Sequence, residues 1–148
     1  MIELSDRHRL TALLLQTSRR WRRLAEQAMT EHGLSEARAA PLIWVGRLGG
    51  GVRQVVLAAH IGIEGPSLVR LLDQLEAAGL LERRDDPEDR RAKTIWLTPE
   101  GEALTERVEH VLMELRERLL QDISDADIAA TLRVFQALDP SKVPEPAT

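Results

Sequence analysis

Residues 57 to 101 read LAAHIGIEGPSLVRLLDQLEAAGLLERRDDPEDRRAKTIWLTPEG, and the order of signals inside that stretch decides the fold. Val52 to His60 reads as a short helix, and Gly62 falls where a tight turn is wanted. Pro66 suits the first position of the next helix, because the N–H it lacks would be unpaired there anyway. That second helix ends at Gly79. Leu68, Leu71, Leu72 and Leu75 recur at helical spacing and form its buried stripe, with Leu80 and Leu81 anchoring the exit. Leu81 to Asp85 and Lys93 to Leu97 then read as two extended segments around a loop, Asp86 to Ala92, too long for a two-residue turn. The expectation is a helix, a glycine turn, a second helix, and a hairpin with a projecting polar tip.

Outward from this stretch the chain is helical. Leu10, Leu14, Thr17, Trp21, Leu24 and Ala28 mark one face of a helix from about Asp6 to His32, which Gly33 ends. Ser35 is placed to cap a helix reaching about Leu48 and bent by Pro41, and Gly49, Gly50 and Gly51 form a flexible break. Thr98 and Pro99 open a long helix in which Leu104, Val108, Val111, Leu112, Leu115 and Leu119 keep near-heptad spacing. Ser124 with Asp127 resembles a capping box before a last stripe of Ile128, Leu132, Phe135 and Leu138. Apolar stripes at both ends of so small a domain call for a partner surface, and a twofold dimer is the commonest solution.

Composition narrows the function. A chain of 148 residues, 43% hydrophobic and 30% charged, has material for one soluble core and no more. No stretch approaches the roughly 20 apolar residues of a membrane span. Glu3, Asp6, Arg7 and Arg9 stand where a signal peptide would carry its apolar run, so the reading is a cytoplasmic protein without a membrane partner. With no cysteine, disulfides, thiolate nucleophiles and thiolate zinc sites are excluded. The aromatics are Trp21, Trp44, Trp96 and Phe135, too few for a base-stacking sheet. The net charge of −4 counts against a generic basic coat for nucleic acid, but it is unevenly spread. Residues 99 to 148 carry net −6 and residues 1 to 98 net +2, so an anionic partner should meet the first two thirds.

The quoted stretch resembles the winged helix-turn-helix of the multiple antibiotic resistance regulator (MarR) family, most closely its SlyA-type members. The turn and helix Ile61 to Arg70, the run LDQLEAAGLLER from Leu72 to Arg83, and DRRAKxIxLT from Asp89 to Thr98 carry the likeness. It implies a mainly α fold in which residues 1–34 and 99–139 are dimerisation helices. Residues 35–98 would form the winged DNA-binding region with one small β-hairpin wing, and 140–148 a loose tail. The implied function is sequence-specific regulation of transcription, as a repressor and homodimer on a pseudo-palindromic site in double-stranded DNA. A small phenolic or carboxylate effector would release it. The alternative is a winged-helix module that binds protein and has lost DNA.

The residues can be weighed one by one. The N-terminal part of the second helix of a helix-turn-helix meets base edges in the major groove, and Pro66, Ser67 and Arg70 occupy that end. Ser67 and Arg70, three apart, share a face; Arg70 suits a guanine or a phosphate, and Pro66 a thymine methyl. Asp85, Asp86, Glu88 and Asp89 would repel phosphate unless arginines project beyond them, which Arg90 and Arg91 can do. The resemblance makes Asp89 the brace of Arg91, whose guanidinium enters a narrow minor groove. Arg83, Arg84 and Lys93 are phosphate neighbours in this reading. Trp21, Arg38 and Trp44 offer an aromatic wall and a cation for the effector, although two core tryptophans and a surface arginine explain them equally well. His8, His32, His60 and His110 are scattered, no serine sits in a G-x-S-x-G elbow, and Glu106 with His110 is a poor metal pair. No cofactor, metal or catalytic residue is expected.

Overall fold

A computed structural model describes residues 5–139 of the chain; the expected tail, 140–148, lies outside them. The elements run α1 (Asp6–Glu31), α2 (Glu36–Arg47), β1 (Val52–Arg53), α3 (Gln54–Ile61), α4 (Gly65–Ala77), β2 (Leu81–Asp85), β3 (Lys93–Leu97), α5 (Pro99–Leu120) and α6 (Asp125–Ala137). Two compact units are present, one ending at Leu115 and the other beginning at Arg116, so the division falls inside α5. No single helix among the described residues is long and apolar enough to cross a membrane.

The first unit contains two cores that share α2. Ala39 and Ile43 face one, with Ala25, Ala28 and Met29 of α1 and Val108, Val111, Leu112 and Leu115 of α5. Leu42 and Val45 face the other, with Leu57, Leu68, Leu72, Leu75, Leu81 and Ile95. A helix apolar on two sides is buried on two sides, and α2 can therefore tie the winged segment to the long helices. The expected stripe of α1 is buried only at its C-terminal end. Leu14 and Trp21 are half-buried, while Leu10 and Leu24 are each left 38% exposed by the described residues.

Helices α3 and α4 meet at 106°, the angle of a helix-turn-helix, across a turn in which Gly62 has φ 75°. The expected hairpin strands are those observed, Asp85 opposite Lys93 and Leu81 opposite Leu97. The sheet has three strands rather than two, in the order β1-β3-β2. Val52 and Arg53, expected as helix, pair with Ile95 and Thr94 instead. Two β-branched or long side chains beside an open strand edge gain ladder hydrogen bonds before the helix begins. The three glycines are not a loose break either. The Trp96 ring lies so close to Gly50 and Gly51 that a Cβ on either would stand within 3.0 Å of it, and both hold positive φ. Ser35 stands at the N-cap position of α2 without a side-chain capping bond, whereas Thr98 accepts from the Gly101 amide at 3.1 Å and Ser124 from the Asp127 amide at 3.2 Å.

In the second unit, α6 has no buried residue, and Leu132, Phe135 and Leu138 of its predicted stripe stand open.

Candidate nucleic-acid interface

Helix α4 is amphipathic, with three of the four leucines of its expected stripe buried and Leu71 half-buried against the same core. Leu68, Leu72 and Leu75 are fully buried and pin it to the core, and Pro66, Ser67 and Arg70 lie on its exposed side near the N-terminus. Neither Ser67 nor Arg70 has a partner among the described residues, so the hydrogen-bonding groups of both remain available to a ligand.

The wing presents a second cationic point. Arg90 and Arg91 form the turn at its tip, exposed and without a carboxylate partner among the described residues. Asp89 does not hold the guanidinium of Arg91. Its Oδ1 accepts the backbone N–H of Arg91 at 3.0 Å, and its carbonyl accepts from Ala92 at 2.9 Å, so it braces the turn rather than the side chain. An Asp two residues ahead of an amide commonly makes this bond, and it leaves the arginine free to extend.

The four acids of the loop are mostly answered from within the chain. Asp85 pairs with Lys93 across the strands. Asp86 is buried, 5% exposed, and its Oδ2 accepts from Arg53 Nε at 2.6 Å while its Oδ1 accepts from the Glu88 amide at 2.9 Å. The Arg53 hydrogen bond above all, and then the Glu88 amide, hold the Asp86 carboxyl below the usual carboxylate range; the same bond raises Arg53. Glu88 adds a looser contact to Arg53 at 3.6 Å. The expected repulsion of phosphate is therefore smaller than the loop's composition suggests.

The three other expected phosphate neighbours have partners in their own chain. Arg83 turns back to α4, where it meets Asp73 at 2.6 Å and Glu76 at 3.2 Å and is only 22% exposed. Arg84 pairs with Glu82 and lies over the Trp96 ring at 4.7 Å. Lys93 has Asp85. Each sits beside a carboxylate two to ten residues away in sequence, a proximity that the linear order hides until β2, β3 and α4 are in place.

The proposed effector residues are not gathered. Trp21 packs on the core of α1, α2 and α5, Trp44 on the core of the winged segment, and Arg38 is exposed on α2. Trp44 lies against His60, ring centres 4.9 Å apart, and under Arg47. His60 bonds the Val56 carbonyl oxygen at 2.9 Å, which makes it a packing residue. A cleft of about 510 Å³ lies instead between α2, β3 and the first half of α5, lined by Ile43, Arg47, Trp96, Glu102, Thr105 and Glu109 among others. Among the described residues no three His, Asp or Glu side chains are placed to hold a metal ion.

Sequence reasoning missed Arg53 and misjudged Asp86. The signal available was Asp86-Pro87-Glu88, in which an Asp at the end of a strand, followed by Pro, accepts the amide two residues on.

A pinned helix at 106° to its predecessor, followed by a hairpin with a free arginine tip, has the architecture of a winged helix-turn-helix. A family model described as the MarR family matches residues 32–92. A solved structure titled transcriptional regulator PA3341 is 38% identical, with a TM-score of 0.80 over 87% of this chain and 94% of that one. CouR from Rhodococcus jostii RHA1, solved bound to p-coumaroyl-CoA, is 26% identical, with a TM-score of 0.80 over 96% of this chain and 100% of its own. A mutant of MarR from E. coli, complexed with operator DNA, shares the fold at 20% identity, with a TM-score of 0.76 over 91% of this chain and 96% of that one. This chain belongs to the MarR family of transcriptional regulators, and its function is DNA-binding regulation of transcription.

Proposed function

We infer that the protein is a repressor that binds a pseudo-palindromic operator as a homodimer, reading base edges with Pro66, Ser67 and Arg70 and a flanking minor groove with Arg91. The observation that carries this reading is how the six arginines of the winged segment, residues 52–98, divide. Arg53, Arg83 and Arg84 have carboxylate partners, whereas Arg70, Arg90 and Arg91, at the two points that face outward, have none among the described residues. Arg90 meets phosphate beside Arg91. Arg84 and Lys93 lie at the wing's base as secondary phosphate contacts, and Arg83 fixes β2 to α4. Dimerisation is supported by apolar residues that stay exposed among the described residues, Leu10, Leu13 and Leu15 on α1 and, separately, Leu132 and Phe135 on α6 with Leu138 at its C-cap.

An effector would enter the cleft of α2, β3 and α5, whose volume suits a small molecule. Three carboxylates there, Glu102, Glu106 and Glu109, face one cation, Arg47, which Glu109 already engages at 2.6 Å. A neutral phenolic compound therefore fits better than a carboxylate.

The test uses duplexes selected from a random pool and fluorescence anisotropy across a salt series. Arg70→Ala and Arg91→Ala should each weaken binding by about 1–3 kcal/mol, and Arg91→Ala should lower the salt slope by about one. Unchanged affinity in both variants would overturn the residue assignment.

A further inference from the structure

The wing's tip loop meets the helix-turn-helix at Arg53, closely through the buried carboxylate of Asp86 and more loosely through exposed Glu88 at 3.6 Å. Asp86 leads out of β2 into the loop that carries Arg90 and Arg91, and Arg53 is the residue immediately before α3. Both oxygens of Asp86 are committed, Oδ2 to the Arg53 guanidinium at 2.6 Å and Oδ1 to the Glu88 amide at 2.9 Å. Its own N–H donates to the carbonyl oxygen of Ala92 at 3.2 Å, closing the loop at its root. The other loop acids are exposed; Asp86 alone is buried.

We propose that Asp86 is a positioning residue for DNA: by gripping Arg53 with one oxygen and the wing loop with the other, it fixes the reach of Arg90 and Arg91 relative to α4. Neither Asp86 nor Arg53 then needs to touch DNA. The inference rests on the reading of Arg91 as a DNA contact, and it adds a condition, that both contacts form together only while the latch is closed. Its prediction runs against simple electrostatics. Asp86→Asn removes a negative charge from a DNA-facing loop, which by charge alone should tighten binding. If Asp86 positions the wing, binding should weaken instead, because an asparagine amide replaces the charge-assisted bond and the tip arginines lose their fixed geometry.

The experiment measures the affinity of the full chain for its selected duplex across a salt series, in wild type, Asp86→Asn, Arg53→Lys, Arg91→Ala and the Asp86→Asn/Arg91→Ala double variant, with a thermal melt of each. The expected result is a loss on the order of tenfold for Asp86→Asn, with a salt slope lower by about one. Arg53→Lys, which keeps a cation opposite Asp86, should lie between Asp86→Asn and wild type. Arg91→Ala should cost little more once Asp86 has been changed, since coupled sites are non-additive. Equal or tighter binding by Asp86→Asn, with Arg91→Ala still impaired, overturns the latch and leaves the Arg91 reading intact. Full additivity of the two changes, or an affinity loss that vanishes once the melt corrects for unfolded protein, also overturns it. No effect of Arg91→Ala removes the reading on which the latch rests, and the latch with it.

Discussion

Asp86 illustrates how one side chain can change the meaning of the charges around it. Counted as charge, the loop from Asp85 to Asp89 is hostile to phosphate; in the fold, Asp86 is turned inward and Asp85 has Lys93. Because Arg53 holds its pKa below that of a free carboxyl, Asp86 is ionised to lower pH in the folded state than in the unfolded one. It therefore contributes stability above the ordinary carboxylate pKa, and that contribution is lost as pH falls through the depressed value. Wild type should lose stability on acidification more steeply than Asp86→Asn, which denaturant melts between neutral pH and pH of about 3 will show; parallel pH profiles would contradict the assignment. Gly101 makes a different demand. A Cβ there would stand 1.9 Å from the Leu80 carbonyl oxygen, a backbone atom that cannot swing aside. Gly101→Ala should cost about 3 kcal/mol in chemical denaturation, because α5 must shift away from the exit of α4.

At the scale of elements, α4 combines a buried stripe with an exposed reading side, and the two should separate on mutation. Leu72 is fully buried, so Leu72→Ala should cost about 2–5 kcal/mol of stability, whereas Arg70→Ala should leave the melt within about 0.5 kcal/mol and affect DNA alone. Both helices of the motif and both wing strands are legible in the sequence because periodicity and glycine placement are local signals. Strand β1 is not legible, because two residues, Val52 and Arg53, become a strand only through β3, which lies some forty positions away. The same distinction explains the arginines. Arg70, Arg90 and Arg91 can be singled out by their place in helix and turn, but whether a cation is free depends on carboxylates brought up by the fold, such as Asp73 and Glu76 beside Arg83. The effector residues are the least legible. Trp21 and Trp44 serve different cores, and periodicity cannot tell which of two cores a residue joins.

For the whole molecule, the apolar surface that the described residues leave open is the main clue to assembly. Single apolar side chains on a surface are ordinary, but an entire helix, α6, without a buried residue and with Leu132, Phe135 and Leu138 exposed is not. Leu132→Asp with Phe135→Asp should shift the protein toward monomer in sedimentation velocity and weaken operator binding, since two half-sites read together gain from effective concentration. A variant that stays dimeric would place the interface elsewhere. The most direct test of the central claim, that a pinned helix and a free arginine tip engage two grooves of one duplex, is chemical footprinting on the selected operator, with dimethyl sulfate reporting the major groove and hydroxyl radicals the minor. The account predicts two protected major-groove segments about one helical turn apart, flanked by minor-groove protection that disappears in Arg91→Ala while the central segments persist. Flanking protection that survives Arg91→Ala, or a single protected segment, would contradict it.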